Sequence, residues 1–183
     1  ELIGWDAAAY RDYYTKERIL DLKKLIADLG LQLVNFNYSP GALISENITL
    51  RRADEDTYQR AVETACALGS PMLTSVTPYP FSIHKEIPLM KKLPTLQDWT
   101  IDTDLNRDWE ANYDLFASQI DWCCDQAGRS GLKVLIEPHP YRMVSSAIGM
   151  RYLLDRVKRD NLGFNFDSSH LFPGGDMPQC AIY

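Results

Sequence analysis

Apolar residues at helical spacing alternate along this chain with short apolar runs, and Gly or Asn separates the two four times. The first predicted helix ends at Gly30, before a strand predicted over residues 31–36, and its apolar face comprises Ile19, Leu22, Ile26 and Leu29. The second ends at Gly69, before a strand predicted over residues 72–76, and its apolar face comprises Tyr58, Ala61, Val62, Ala65 and Leu68. Helix and strand therefore alternate from the start.

The second half of the chain repeats this pattern. The third predicted helix ends at Gly128 or Gly131, before a strand over residues 132–137, with an apolar face of Trp109, Tyr113, Phe116, Ile120, Cys123 and Ala127. The fourth begins at a cap formed by Ser145 and Ser146, ends near Asn161 and precedes a strand over residues 162–167. Its apolar face comprises Ala147, Met150, Leu154 and Val157.

Alternation of helices with nearly continuous apolar strands predicts an α/β fold with a parallel sheet, either doubly wound or closed into a barrel. Two observations favour the (β/α)8 TIM barrel. No GxGxxG or GxxxxGK[ST] motif follows a strand, and polar candidate residues lie at the C-terminal ends of several strands. Leu2 and Ile3 would end an earlier strand, which makes five, whereas a full barrel has eight. We therefore expect residues 1–183 to form one domain, an incomplete barrel of about strands 2–6.

Composition and charge narrow the function classes. The chain has 45% hydrophobic and 24% charged residues, as ordinary globular domains have. Its net charge of −6 argues against a nucleic-acid partner and favours small, neutral or weakly charged substrates. Four cysteines without a CxxC pair predict reduced thiols and a cytoplasmic protein: Cys66, Cys123, Cys124 and Cys180.

The two ends and the middle of the chain lack regular signals. No apolar run approaches the roughly 18 residues of a membrane span, and no signal segment opens the chain, so no membrane partner is expected. Because the chain begins without Met and stops just after a turn, we expect its natural ends to lie outside it.

Residues 78–107 are rich in Pro and aromatic residues and predict a segment that covers a site or a subunit contact. His84 lies in this segment, and a loop histidine without an acidic neighbour is more often a bystander than a ligand.

Two strand ends each carry a carboxylate and an imidazole. Glu137 and His139 follow the apolar run of residues 134–136, and Asp167 and His170 follow the next predicted strand. Carboxylate oxygens bind hard divalent cations and imidazole suits softer ones, so the set predicts a site for Mn, Mg, Co or Zn. The two carboxylates are separated by 30 positions (167 − 137), about one βα unit.

Each of these residues also has a structural explanation. Glu137 could pair with a neighbouring Lys or Arg, since a buried carboxylate needs a cation or strong donors. Pro138 and Pro140 hold His139 in extended geometry, so it could face a pocket or simply cap the sheet. Ser168 and Ser169 are turn residues that need no functional role. We retain Glu137, Asp167, His139 and His170 as candidate site residues.

Two of these segments resemble a known family. Residues 136–139, Ile-Glu-Pro-His, and residues 161–171, Asn-Leu-Gly-Phe-Asn-Phe-Asp-Ser-Ser-His-Leu, resemble the fifth and sixth strands of xylose isomerase-like TIM barrels, the sugar phosphate isomerase and epimerase group. The resemblance extends from residue 1, where it implies the second strand of the barrel, to Asp176. In that family a Glu after strand five, an Asp after strand six, a His after strand seven and a Glu after strand eight hold one divalent metal ion.

The resemblance implies specific roles. Glu137 and Asp167 match the first two metal ligands, and the last two have no counterpart in this chain. His170 matches the histidine that contacts the sugar oxygens, with His139 as a second substrate-binding candidate. The implied function is a divalent-metal-dependent isomerase or epimerase of a sugar or sugar phosphate, which transfers a proton through a metal-stabilised enediolate. Glu137 would serve as ligand and as one proton-transfer base.

Other functions fit the same barrel. A keto-inositol dehydratase would use the same metal set, and a non-catalytic sugar-binding barrel would keep the strand-end residues as relics. An endonuclease IV-type repair enzyme is disfavoured, since it uses a multi-zinc cluster richer in histidine and this chain has three histidines and a net negative charge. The expected partners are a small sugar or sugar phosphate and, because five strands leave open sheet edges, further copies of the chain in a homo-oligomer.

Overall fold

The computed structural model describes residues 1–80, 82–83, 101–102 and 108–182. Within these residues the strands are β1 (Leu2–Gly4), β2 (Phe36–Tyr38), β3 (Met72–Val76), β4 (Ser82–Ile83), β5 (Ile101–Asp102), β6 (Lys133–Glu137) and β7 (Leu162–Phe164). The helices are α1 (Lys16–Asp28), α2 (Ile48–Leu68), α3 (Trp109–Arg129), α4 (Ala147–Val157), α5 (Ser168–Leu171) and α6 (Pro178–Ala181), with a π-helical turn at Ala9–Tyr13.

Five strands form one parallel sheet in the order β1-β2-β3-β6-β7, and β4 pairs antiparallel with β5 apart from it. Strands that follow one another in the sheet therefore follow one another in the chain, without the reversal of order that a doubly wound sheet requires. This sequential order is that of a barrel wall. The predicted α/β class is confirmed, and the sheet is consistent with part of a TIM barrel.

The two faces of the sheet differ in chemistry because side chains alternate along each strand. Val134 and Ile136 of β6 are fully buried, as are Phe36 and Tyr38 of β2. The ring of Tyr38 packs edge-on against Tyr58 of α2, with centroids 5.4 Å apart. These residues therefore face the helices, where the core lies. The intervening positions, including Asn37 and Glu137, face the opposite side of the sheet.

The predicted helices agree closely with the structure. Every apolar position predicted for α2 is buried, and Gly69 ends that helix with φ +82°. The Ser146 side chain caps α4, as predicted, by accepting a hydrogen bond from the Gly149 amide at 3.0 Å. In α3 the predicted core position Trp109 is 52% exposed, because it begins the helix. The predicted end of α4 is also wrong, because the helix stops at Val157 and the next residue, Lys158, adopts φ +51°.

Two strand predictions were wrong at their ends. The strand predicted over residues 31–36 is observed at Phe36–Tyr38, and Leu31 and Val34 are more than half exposed. Phe36 pairs with Leu73 of β3, and β3 begins only one residue earlier, so residues 31–34 have no partner in that neighbouring strand. The strand predicted over residues 162–167 stops at Phe164, because Asp167 begins helix α5 instead.

Other expectations concern the cysteines and the middle segment. All four cysteines are free thiols, and Cys123 and Cys124 are buried core residues. No helix in the described ranges is both long and apolar enough to cross a membrane. His84 lies outside the described residues, as does most of the segment 78–107 with its predicted covering role.

Candidate active site

Glu137 is the last residue of β6 and lies at the C-terminal edge of the sheet. It pairs with Val76 of β3 on one side, and the Asn165 amide after β7 donates to the carbonyl of Ile136 at 2.9 Å on the other. The parallel arrangement brings the residues that follow β3, β6 and β7 to one edge. The Glu137 side chain is 12% exposed. A carboxylate is thus held on a central strand, largely shielded from solvent.

His139 lies in the loop that connects β6 to α4. The His139 amide donates to the carbonyl of Val144 at 3.2 Å, and the His139 carbonyl accepts from the amide of Arg142 at 3.2 Å. These bonds close a compact turn beside the strand end. Nε2 of His139 lies 3.9 Å from Oε2 of Glu137. The structure therefore places His139 against the carboxylate, one of the two positions that the sequence left open.

Asp167 and His170 enter the same site from the other side. Asp167 caps α5: its Oδ1 accepts from the Ser169 amide at 2.8 Å and from the Ser169 hydroxyl at 2.7 Å. The short helix turns the chain back, so that Nε2 of His170 lies 3.6 Å from Oδ2 of Asp167 and 4.0 Å from Oε1 of Glu137. All four candidate residues are thus brought together. Ser169, which the sequence analysis treated as a turn residue, positions Asp167.

The electrostatics of the site are dominated by burial and by neighbouring charges of like sign. Burial raises the pKa of Glu137 to about 7, with a further contribution from the carboxylates of Asp167 and Glu1. Burial also lowers the pKa of His139 to about 4, assisted by His170 and Arg142. The hydrogen bonds from Ser169 keep the pKa of Asp167 below its usual value. The site therefore sets an ionised Asp167, and a Glu137 that titrates near neutral pH, beside the neutral imidazole of His139.

Sequence reasoning missed Asn37. This β2 residue is buried, its Nδ2 donates to Oε1 of Glu1 at 3.0 Å, and its side-chain amide slightly offsets the rise in the pKa of the Glu137 carboxyl that burial causes. Asn37 Oδ1 has no hydrogen-bond partner within the described part of the chain. The signal was available in the sequence, because Asn35 and Asn37 interrupt an apolar strand two positions apart and so lie on the same face.

A family model for the xylose isomerase-like TIM barrel matches residues 1–182. This chain belongs to that family. The resemblance drawn from the two strand-end segments is therefore confirmed, and with it the barrel as the fold class. A comparison with functionally curated protein sequences finds no match.

Solved structures of this family superpose on the chain at low identity. The probable 3-DHS dehydratase AsbF from Bacillus anthracis is 14% identical with a TM-score of 0.67, and the match covers 97% of this chain and 56% of that one. The IOLI protein with a bound zinc atom is 17% identical with a TM-score of 0.66, covering 91% and 52%. D-psicose 3-epimerase with D-tagatose, from Clostridium cellulolyticum H10, is 15% identical with a TM-score of 0.64, covering 88% and 52%.

These identities of 14–17% establish the common fold and nothing finer. The chain spans about half the length of the structures it matches. The matched structures include two epimerases and a probable dehydratase, which supports an enzyme without fixing its reaction.

The residues present fit a divalent cation. Glu137, His139 and His170 each offer a ligand atom, and these atoms lie within 4.8 Å of one another. The Asp167 carboxylate is close enough to Glu137 to raise its pKa, and two facing carboxylates repel unless a proton or a cation lies between them. Carboxylate and imidazole donors together suit Zn, Mn or Co, and the carboxylates alone would suit Mg.

Proposed function

We propose that this chain carries the proton-transfer site of a divalent-metal-dependent isomerase or epimerase of a sugar or sugar phosphate. One observation carries the proposal: a largely buried carboxylate, Glu137, lies within 4.0 Å of the Nε2 atoms of His139 and His170 at the sheet edge where barrel enzymes hold their substrates. A lone structural salt bridge would explain Glu137 only with a Lys or Arg partner, and no such partner lies within 4.0 Å of it in the described residues.

Glu137 and Asp167 would hold the ion. They follow neighbouring strands, and a cation bound between them would relieve the repulsion of their carboxylates. When bound, a Mn, Mg, Co or Zn ion would act as a Lewis acid toward the substrate oxygens and would fix their orientation. The hydrogen bonds from Ser169 occupy Oδ1 of Asp167 and hold the side chain in place, while Oδ2 remains directed toward His170. Such support of a ligand by a neighbouring donor is typical of metal centres.

Glu137 would also remove the proton from the carbon next to the substrate carbonyl. Burial disfavours its charged form, so the carboxylate accepts a proton more readily than it would in water. His170 and His139 would donate hydrogen bonds to the carbonyl and hydroxyl oxygens as negative charge develops there. Both imidazoles border the carboxylate, so each lies next to the position of the reacting carbon.

Hydrogen exchange with solvent tests this proposal. The protein is purified, its metal content is measured by elemental mass spectrometry, and it is incubated in D2O with a panel of ketoses and ketose phosphates. We expect a stoichiometric divalent ion and deuterium incorporation next to the carbonyl of one substrate class. Glu137→Gln should abolish the incorporation, whereas Glu63→Gln, at an exposed position of α2, should not.

The same experiment separates the alternatives. A dehydratase begins with the same proton removal, and AsbF shares the fold, but its product would have lost water, which mass spectrometry detects. A non-catalytic sugar-binding barrel would carry no stoichiometric ion and would incorporate no deuterium. Exchange of equal rate in wild type and Glu137→Gln would contradict the assigned base.

A further inference from the structure

Arg142 is a partly buried cation beside the candidate site. It lies in the loop between β6 and α4, with its guanidinium carbon 3.6 Å from the centre of the Tyr79 ring. Its Nη1 donates to the carbonyl of Thr77 at 3.1 Å. These two contacts attach the loop after β6 to the loop after β3, and the Met143 amide strengthens the attachment by donating to the carbonyl of Pro78 at 2.9 Å.

The charge of Arg142 is not neutralised by the described residues. None of their carboxylates lies within 4.0 Å of the guanidinium, whereas Arg129, Arg151 and Arg159 each have an aspartate partner. Burial lowers the pKa of Arg142. A desolvated cation without a counter-charge is costly, and the carbonyl of Thr77 and the side chain of Tyr79, which favours the charged form of Arg142, compensate it only in part. A bound anion would supply the missing charge.

The backbone holds Arg142 close to the imidazole of His139. Tyr141, immediately before it, adopts φ +66°, in the left-handed region that bulky side chains rarely enter. This conformation turns the chain so that the Arg142 amide donates to the carbonyl of His139 at 3.2 Å. Backbone strain of this kind is found where a side chain must be held for a ligand.

We propose that Arg142, seated on Tyr79, is the subsite for an anionic group of the substrate, a phosphate or a carboxylate. The inference rests on the proposed isomerase site and names its substrate class: a sugar phosphate or a sugar acid whose reacting carbon lies at Glu137. The planar guanidinium matches both anions with paired N–H donors, and the Tyr79 ring fixes its plane in advance. The net charge of −6 makes a local cation necessary to attract an anion.

Inorganic phosphate and acetate are the probes. The protein is first freed of metal with a chelator, and the chelator is then removed. Each anion is titrated into this metal-free protein by calorimetry, so that neither anion can bind by coordinating a metal ion. We expect wild type to bind one of them, phosphate if the substrate is phosphorylated and acetate if it is an acid. Arg142→Gln should weaken that binding about tenfold or more, since a charge-assisted hydrogen bond contributes at least this factor. Arg142→Lys should bind the probe with an affinity between those of wild type and Arg142→Gln, because lysine keeps the charge but lacks the paired N–H donors of the guanidinium.

Arg151→Gln is the matched control, since Arg151 is an exposed arginine of α4 paired with Asp155, and it should bind the probe as wild type does. The inference is overturned if neither probe binds, or if wild type and Arg142→Gln bind equally while both keep the same circular dichroism spectrum. If this test fails while the protein still contains the metal ion and incorporates deuterium, only the anion subsite is wrong. If the protein contains no stoichiometric divalent ion and incorporates no deuterium, but binds the probe in a way that depends on Arg142, the proposed isomerase function is wrong. The protein would then be an anion-binding barrel.

Discussion

The imidazole rings of His139 and His170 stack with their centroids 3.5 Å apart and their planes inclined by 30°. One ring belongs to the loop after β6 and the other to the helix after β7, so the contact joins two neighbouring strand-end segments. Protonating both rings would set two cations face to face, and burial together with the charge of His170 lowers the pKa of His139 to about 4. His139 is therefore neutral at pH 7 and has a lone pair available.

Metal affinity will separate two possible ligand sets. We expect Glu137→Gln and Asp167→Asn each to weaken divalent metal binding, measured by competition with a fluorescent chelator, by at least about tenfold, the scale at which even supporting partners of a metal site act. His139→Gln should change the affinity much less, because His139 is assigned to the substrate. A loss in His139→Gln and His170→Gln as large as that in Glu137→Gln, with Asp167→Asn unaffected, would instead assign the ion to Glu137, His139 and His170.

Glu137 should destabilise the metal-free protein. At pH 8 its carboxylate is ionised, largely buried and close to Asp167 and Glu1. Glu137→Gln removes this charge, so we expect the free energy of unfolding in chelator, measured with urea, to increase on the order of 1–3 kcal/mol. Glu63→Gln, at an exposed helix position, should leave it unchanged. A less stable Glu137→Gln protein under these conditions would show that the carboxylate is satisfied without a cation.

Lys158 ends helix α4 in a conformation that favours glycine. Its φ is +51°, and its amide donates to the carbonyl of Leu154 at 3.1 Å. Because glycine adopts this region without a Cβ clash, Lys158→Gly should stabilise the protein by up to about 1 kcal/mol after the entropy of the unfolded chain is subtracted. Thermal unfolding of Lys158→Ala is the control: it removes the same charge but keeps Cβ, and it should show no gain.

The ion pair between Asp121 and Arg159 should add a small, pH-dependent stability. Two N–H groups of Arg159 donate to the Asp121 carboxylate at 2.6 and 2.8 Å, and this lowers the pKa of Asp121. A lowered carboxyl pKa stabilises the folded state above the unfolded value of about 4 and loses that effect as the pH falls through the folded value. Both side chains are about two-fifths exposed, so the effect is weak.

Urea unfolding from pH 7 to pH 3 tests this pair. Asp121→Asn should be slightly less stable than wild type at pH 7, and the difference should shrink as the pH falls below about 4 and in high salt. In an Arg159→Gln background the same substitution should have no effect. A difference that is as large at pH 3 as at pH 7 would mean that Asp121 acts through packing rather than through its charge.

Much of the framework follows from local patterns. Helices α2 and α3 were predicted from apolar spacing, and β3 from its run of apolar residues, because one buried face dictates which positions are apolar. Strand ends were less predictable. Residues 31–34 are as apolar as a strand, yet they precede the residues that pair with β3, and pairing depends on neighbours that are distant in the chain.

The sequence by itself determined that Glu137 and Asp167 lie at or shortly after the C-terminal ends of neighbouring parallel strands, because the alternation of helix stops and apolar runs is a local property. Only the tertiary structure decided that His139 stacks on His170, that Asn37 reaches Glu137, and that Arg142 lies on Tyr79. These contacts join residues 31, 100 and 63 positions apart (170 − 139, 137 − 37 and 142 − 79). Their geometry depends on how the loops after β2, β3, β6 and β7 pack against one another, which no local period encodes.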